Sequence, residues 1–300
     1  MTTKFTSDDK LDLSLFADSI RAQMEAGVHG IIIGGSLGEA STITTDEKKQ
    51  LVECAHETVN GKIPVILNIA ESATSEAIKM VELASNWHVQ GLMLLPPMRY
   101  AADQREALHY FKTVASSTDL PIMIYNNPVD YKIEVTIPMF EELIQYPVIQ
   151  AVKESTRDVT NVTRMINRFG DRLKILCGVD TIAMEALLMG ADGWVAGLVN
   201  AFPVETVAIY NYVLNGKTSE ARKIHRWFLP LLELDIHPKL VQYIKLAESR
   251  TGLGTEWVRA PRLPLEGRER ERVLAVIDEA LKQRPLPDHQ LTAGRPQPAF

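Results

Sequence analysis

From residue 12 to about 215 the apolar positions alternate between two periods. "DLSLFADSIRAQMEAG" places Leu13, Phe16, Ile20 and Met24 on one helical face and stops at Gly27. "GIIIGG" (30–35) follows as an unbroken apolar run, the mark of a strand buried on both faces. "TTDEKKQLVECAHETVNG" returns to helical spacing, with Thr44 and Glu47 set as a capping box and Gly61 as the stop. The pairing then recurs. It predicts strands at 64–70, 91–97, 121–126, 148–153, 174–178 and 193–197. Helices are predicted at 74–87, 103–117, 138–145, 158–168, 181–189 and 204–215.

Seven buried strands, each followed by a helix, imply a parallel sheet. The fold class expected is an α/β (β/α)8 TIM barrel, which needs eight strands. The chain opens on a helix with no clear strand before it. Either the first strand is truncated to a remnant around Thr3 to Phe5, or the sheet is open. A doubly wound nucleotide fold is the rival, and it calls for a Gly-x-Gly-x-x-Gly turn after its first strand. "GGSLGEAS" does not supply that spacing. Past residue 217 the strands stop. "SEARKIHRWFLPLLELD", "HPKLVQYIKLAES" and "EGRERERVLAVIDEALKQ" are three helical stretches in succession. The expected organisation is therefore a barrel over 1–217, a helical extension over 218–283 and a proline-rich, disordered tail over 284–300.

Composition narrows the function classes. A net charge of -6 with no basic stripe argues against nucleic-acid binding. No apolar run approaches the roughly 20 residues of a membrane span, and "MTTKFTSDDK" lacks a signal peptide's apolar core, so the expectation is a cytoplasmic protein. Cys54 and Cys177 cannot build a disulfide framework and read as two buried thiols. His56 and His109 sit in helices without a second ligand nearby, so no metal site is expected. Trp87 and Trp194 read as core.

In a barrel, chemistry gathers where strands end and the next loops begin. Those positions are "GGSLGE" (34–39), Asn68 to Glu71, "PPMRY" (96–100), "YNNPVDY" (125–131), "KEST" (153–156), "CGVD" (177–180) and "GLVNAFP" (197–203). Lys153 is the one lysine among them. Burial among apolar neighbours disfavours an ammonium, and a free amine is a nucleophile toward carbonyls. The plain alternative is that Lys153 snorkels to the rim and pairs with Glu154 or Asp158. Tyr125 ends the preceding strand, and a phenol beside an amine can shuttle protons for an imine. It can equally be a rim tyrosine with its hydroxyl in water. "GGSLGE" offers successive backbone N–H groups able to cradle a carboxylate.

Together these stretches resemble the dihydrodipicolinate synthase and N-acetylneuraminate lyase superfamily over residues 2 to about 283. "GGSLGE" is similar to that family's Gly-Ser/Thr-Thr-Gly-Glu loop and "YNNP" to its Tyr-Asn-x-Pro. "AVKESTRDV" is similar to its Gly-hydrophobic-Lys-Glu-x-x-Gly-Asp, and "CGVD" and "RAPRLPL" also match. The resemblance implies a class I aldolase-type enzyme in which Lys153 forms a Schiff base with a 2-keto acid. It implies Tyr125 as proton shuttle, Ser36 as the hydroxyl that orients it, and the Ser36–Leu37 backbone as carboxylate clamp. Gly35, Leu37, Val195, Arg99, Asn127 and Gly178 are the substrate-binding candidates. No metal or organic cofactor is implied, since the lysine is the electron sink; a homotetramer is, and the helix at 239–247 is expected to be packing surface within it.

Two departures bear on the substrate. Synthases carry an arginine in a Pro-x-Arg-Thr-Gly pattern after the tyrosine, where this chain has "PVDYK" with Asp130. They carry a second tyrosine in a Pro-Tyr-Tyr context, where this chain has "PPMRY" with Arg99. An aspartate would repel a carboxylate that an arginine attracts, which argues against the lysine-biosynthetic reaction. "YNNPVDYKIEVTIPMF" with "HPKLVQYIKLAE" resembles instead a catabolic branch that includes 1-pyrroline-4-hydroxy-2-carboxylate deaminase and 2-keto-3-deoxy sugar acid dehydratases. Asn127, Asn200 and Ser155 would suit a hydroxylated substrate. Three readings follow: a Schiff-base lyase or dehydratase on a 2-keto acid, a deaminase on a cyclic imine, and a catalytically silent barrel that binds keto acids.

Overall fold

Helix ends follow local chemistry in the computed structural model, which describes residues 1–97 and 100–285. Helix α1 (Leu13–Ala26) starts where the Asp12 carboxylate accepts from the Leu15 N–H. It stops at Gly27, whose φ of 95° suits a residue without a Cβ. After strand β1 (Ile31–Ile33), helix α2 (Thr45–Val59) carries the predicted capping box. Thr44 Oγ1 accepts from the Glu47 N–H at 3.2 Å, and the Glu47 carboxylate accepts from the Thr44 N–H at 2.8 Å.

The chain packs as two compact units: of the described residues, 1–63 with 196–285, and 64–195. The second unit runs β2 (Val65–Ile69), α3 (Thr74–Asn86), β3 (Gly91–Leu94), α4 (Gln104–Ala115), β4 (Ile122–Asn126) and α5 (Pro128–Tyr131). It continues with α6 (Ile137–Leu143), β5 (Ile149–Glu154), α7 (Thr160–Phe169), β6 (Lys174–Cys177), α8 (Ala183–Leu188) and β7 (Gly193–Trp194). Its six strands are parallel, and each lies beside its predecessor in the order β2 to β7. A doubly wound sheet reverses direction about an inner strand; these six do not, which is barrel winding. Every residue of β2, β3 and β4 is buried, as unbroken apolar runs require.

Two local features depart from the periodicity. The strand predicted over 193–197 ends at Trp194, and "PVDY" is a short helix rather than open loop. Pro128 at its first position and Asn127 as its cap explain that helix. The β4–β5 pairing is irregular. Ile122 pairs with Ile149, but Met123 pairs with Ala151, so Gln150 is an extra residue in β5.

The first unit closes with α9 (Pro203–Leu214), α10 (Thr218–Leu232), α11 (Leu240–Thr251) and α12 (Gly267–Lys282); no strand separates the last three. Helix α11 corrects one expectation. Its apolar face is not free for a subunit contact, because Val241, Tyr243, Ile244, Leu246 and Ala247 are buried within the chain. Arg284, where the tail was expected to begin, pairs with Glu205; residues 286–300 lie outside the described residues. No described helix is long and apolar enough to cross a membrane.

Thr3 to Phe5, the expected first-strand remnant, form no ladder. Met1 donates to the Ile32 carbonyl and Thr3 Oγ1 to the Gly38 carbonyl, while Phe5 makes a single antiparallel bridge to Leu11. Lys4 is fully buried, and its Nζ meets Glu248 Oε1 at 2.6 Å and Thr2 Oγ1 at 2.8 Å. Removing one partner of a buried ion pair strands the other charge. Lys4→Met should therefore destabilise the fold by about 3–5 kcal/mol, read as a lower urea midpoint. Lys4→Met/Glu248→Leu should recover much of that loss.

Candidate active site

The extra residue in β5 decides which side chains meet. It puts Tyr125 beside Lys153 and Asn126 beside Glu154 across the β4–β5 ladder. Without it Tyr125 would lie beside Val152, because a one-residue slip turns every side chain to the other face. Tyr125 and Lys153 thus share a face. Lys153 is half-buried, and its Nζ lies over the Tyr125 ring, 4.0 Å from its centroid. Tyr131 meets the same phenol edge to face, with centroids 5.5 Å apart.

Gly178 makes the room. A Cβ there would lie 2.2 Å from Ser155 Oγ, 2.6 Å from Lys153 Cγ and 2.7 Å from Lys153 Cε. The Lys153 stem therefore occupies the volume a side chain at 178 would take. Ser155 N–H donates to the Asn126 carbonyl at 2.8 Å, and its buried Oγ has no hydrogen-bond partner among the described residues. A hydroxyl in that condition, beside the lysine stem, is a donor and acceptor awaiting one. Val195 follows β7 and donates its N–H to the Cys177 carbonyl at 2.8 Å. Burial pushes the Cys177 thiol up to about 12, which leaves it inert as a nucleophile.

Asn127 is buried two residues beyond the start of the Tyr125 contact, and its amide is fully placed. Its Nδ2 donates to the Tyr125 hydroxyl oxygen at 3.1 Å and to Asp130 Oδ2 at 2.7 Å, while its Oδ1 accepts from the Asp130 N–H at 3.2 Å. Asp130, expected to face an incoming carboxylate, turns back on Asn127 instead. On the opposite face Asn126 Nδ2 donates to Glu154 Oε2 at 3.1 Å, and Asn126 Oδ1 accepts from the Val135 N–H at 2.9 Å. Burial raises the Glu154 carboxyl above its ordinary range, against the hydrogen bonds from Thr156 and Asn126 that oppose the shift. This pair ties the segment after Tyr125 to β5. Strand alternation alone could not have flagged it, since an unbroken ladder from Ile122–Ile149 would set Asn126 beside Lys153.

Gly35, Ser36, Leu37 and Asn200 belong to the first unit. Gly35, Ser36 and Leu37 form a run of turns after β1, with Ser36 exposed, Ala40 N–H on the Gly35 carbonyl and Glu39 N–H on the Ser36 carbonyl. Gly34 takes a φ of 69°, and a Cβ on Gly38 would press the Gly34 backbone at 3.1 Å. Asn200 is committed to structure: its Oδ1 accepts from the Thr2 N–H and Gln23 Nε2, and its Nδ2 donates to the Gly197 carbonyl. Arg99 lies outside the described residues. Trp194 is half-buried and fixed by a 3.0 Å bond from its Nε1 to Asp180.

The comparisons agree with this winding. The model of the Dihydrodipicolinate synthetase family matches residues 1–280. A 4-hydroxy-tetrahydrodipicolinate synthase of Exiguobacterium sibiricum is 32% identical over 268 residues, covering 88% of this chain and 89% of that one. The structure of a 4-hydroxy-tetrahydrodipicolinate synthase from Methylacidiphilum fumariolicum SolV superposes with a TM-score of 0.87 at 27% identity, covering 94% and 95% of the two chains. Dihydrodipicolinate synthase from Aquifex aeolicus gives 0.88 at 25% identity, covering 93% and 95%. Fold and site define a (β/α)8-barrel lyase of the class I aldolase type with a C-terminal helical extension. The chain belongs to the dihydrodipicolinate synthetase family.

Gly178→Ala tests the packing around the amine. The added methyl must displace the Lys153 stem, and an ångström of misplacement costs on the order of 100-fold in rate. Borohydride trapping of pyruvate on Lys153, followed by mass spectrometry, should slow by about that factor, with the circular dichroism spectrum unchanged.

Proposed function

We propose that the chain is a Schiff-base-forming lyase or dehydratase acting on a hydroxylated 2-keto acid, of a catabolic kind rather than a synthase of lysine biosynthesis. The observation that carries it is the Lys153 amine 4.0 Å over the Tyr125 ring, on adjacent strands and with its stem seated against Gly178. The amine nitrogen adds to the keto carbon as the C=O π bond breaks. The oxygen gains a proton and the nitrogen loses one, giving a carbinolamine. A second proton on that oxygen lets water leave as the nitrogen lone pair closes the C=N bond. The resulting iminium withdraws electrons from the adjacent carbon, so a proton there can be lost or a bond beyond it cleaved. Tyr125 moves protons in these steps as donor and acceptor.

Two features support the catabolic reading over the one carried in the relatives' names. Asp130 stands where a synthase would hold a cation for its second substrate, and its carboxylate is turned onto Asn127. Ser155 Oγ, buried without a partner next to the lysine stem, suits a substrate hydroxyl. Imine exchange on a 4-hydroxy-1-pyrroline-2-carboxylate would use the same amine: the ring opens to a tethered primary amine, loss of the hydroxyl as water and migration of the double bond turn that amine into an imine at C5, and its hydrolysis by water releases ammonia.

Product analysis separates these outcomes. Incubation with 2-keto-3-deoxy sugar acids, hydroxyproline-derived cyclic imines and pyruvate plus an aldehyde, followed by mass spectrometry, should show water loss or ammonia release with the hydroxylated substrates. Condensation of pyruvate with aspartate semialdehyde as the best reaction would overturn the catabolic reading. Lys153→Ala should abolish both turnover and the borohydride adduct, and Tyr125→Phe should slow turnover by about 10²–10⁴. Full activity in Lys153→Ala would refute the covalent mechanism.

A further inference from the structure

The helix cap at "NNPVD" holds more hydrogen bonds than a cap requires. To start α5, Asn127 needs only its Oδ1, which accepts from the Asp130 N–H. Its Nδ2 is also engaged twice, by the Asp130 carboxylate and by the Tyr125 hydroxyl oxygen. These bonds fix the orientation of the amide. A carboxylate can only accept, so nitrogen must face Asp130; a backbone N–H can only donate, so oxygen must face the turn. The second Nδ2 hydrogen then points at Tyr125, whose oxygen is the acceptor in that bond. The phenol's own proton is thereby directed away from Asn127.

We infer that Asp130 and Asn127 are positioning residues that hold the Tyr125 hydroxyl as a hydrogen-bond acceptor from Asn127, leaving its proton for transfer at the Lys153 imine. The inference rests on the Schiff-base reading for its catalytic meaning, and on geometry alone for the bond directions. The step it serves is proton transfer to the carbinolamine oxygen: the O–H bond of Tyr125 breaks, an O–H bond forms on the leaving oxygen, water departs and the phenolate keeps the electron pair. The Asn127 N–H steadies that phenolate, since a hydrogen bond to an anion is stronger than one to a neutral oxygen. The charged and titratable groups that meet Tyr125 within its unit are Lys153 over the ring, Tyr131 at its edge and Asp130 through Asn127. Of the two, Asp130 departs from the synthase pattern, standing at the arginine, and its contact Asn127 fills the position of Tyr-Asn-x-Pro that the pattern leaves open.

Two measurements test this. In the first, the Asn127 side-chain NH2 resonances are identified by their loss in Asn127→Leu. Tyr125→Phe should shift one proton of the pair and Asp130→Leu the other; resonances unmoved by both variants would overturn the inference whatever the enzyme's substrate is. In the second, pyruvate is trapped on Lys153 with borohydride across a range of pyruvate concentrations. Asn127→Leu and Asp130→Leu should slow trapping at saturating pyruvate by about tenfold or more, within the range of general-acid effects, with the half-saturating concentration unchanged. Asp130→Asn, which keeps an acceptor for the Asn127 amide, should restore most of the rate. If Asp130 acted directly on the substrate carboxylate, Asp130→Asn and Asp130→Leu would behave alike and both would lower the half-saturating concentration; that result overturns the inference. Failure of the wild-type protein to trap any pyruvate would count against the Schiff-base reading with pyruvate, while the resonances still decide the bond directions.

Discussion

The pairing of β4 with β5 decides which side chains meet, and it does so through one residue out of step. Parallel neighbours in register present their side chains on the same face, so a ladder that ran unbroken from Ile122–Ile149 would have set Tyr125 beside Val152 and Asn126 beside Lys153. The extra residue at Gln150 exchanges those partners. Phenol and amine come to one face, and the two polar residues that brace the following segment, Asn126 and Glu154, come to the other. Because the ladder's backbone hydrogen bonds hold both strands, the distance between the reactive groups is set by rigid elements. The missing side chain at 178 completes the arrangement, as the Lys153 stem fills that space.

A second constraint, in the first unit, explains how a glycine-rich loop can be held in one conformation. Glu39 closes the "GGSLGE" loop in a left-handed backbone conformation, with φ at 55°, and its carboxylate is fully buried. It accepts from Lys245 of α11 and from the Arg259 N–H. Lys245 is also buried, and desolvation lowers its amine's affinity for a proton while the nearby Glu39 carboxylate opposes that shift. Lys4 and Glu248 form a second buried pair within the same unit. Such pairs add little net stability, since desolvation offsets their attraction, but a misplaced partner is costly. They fix where the loop and the N-terminal segment sit on α11.

Much of this was legible in the sequence because period and end chemistry are local. Continuous apolar runs marked the buried strands, Thr44 with Glu47 marked a helix start, and Lys153 and Tyr125 stood out as polar residues closing apolar strands. What was not legible depends on pairing. A run such as "VIQAVKEST" looks the same whether or not Gln150 is bulged, so the sequence could place Tyr125 and Lys153 on adjacent strands without saying that they share a face. The buried pairs of Lys4 with Glu248 and of Lys245 with Glu39 leave no local signal, because the partners lie more than two hundred positions apart in the chain. The α11 face was misread for the same reason: an amphipathic stripe announces that something covers it, and here the cover is this chain's own core. Asn200 looked available at a strand end, yet three hydrogen bonds occupy it.

The short helix at 128–131 joins these points. Its signals, Pro128 at the first position and Asn127 as cap, were present in "NNPVD", but their meaning depended on what lay behind the cap. An arginine at 130 would bring a second set of donors against the Asn127 Nδ2, and two donors cannot face one another without loss. Turning the amide to offer its oxygen would then take the acceptor away from the helix start and the donor away from Tyr125. A cation at 130 and an asparagine at 127 are therefore poorly compatible here, so the departure from the synthase pattern at 130 and the donor held on the Tyr125 hydroxyl oxygen belong to one local arrangement. Asp130→Arg alone would remove the acceptor that orients the Asn127 amide, and the residue that would have to change with it is Asn127.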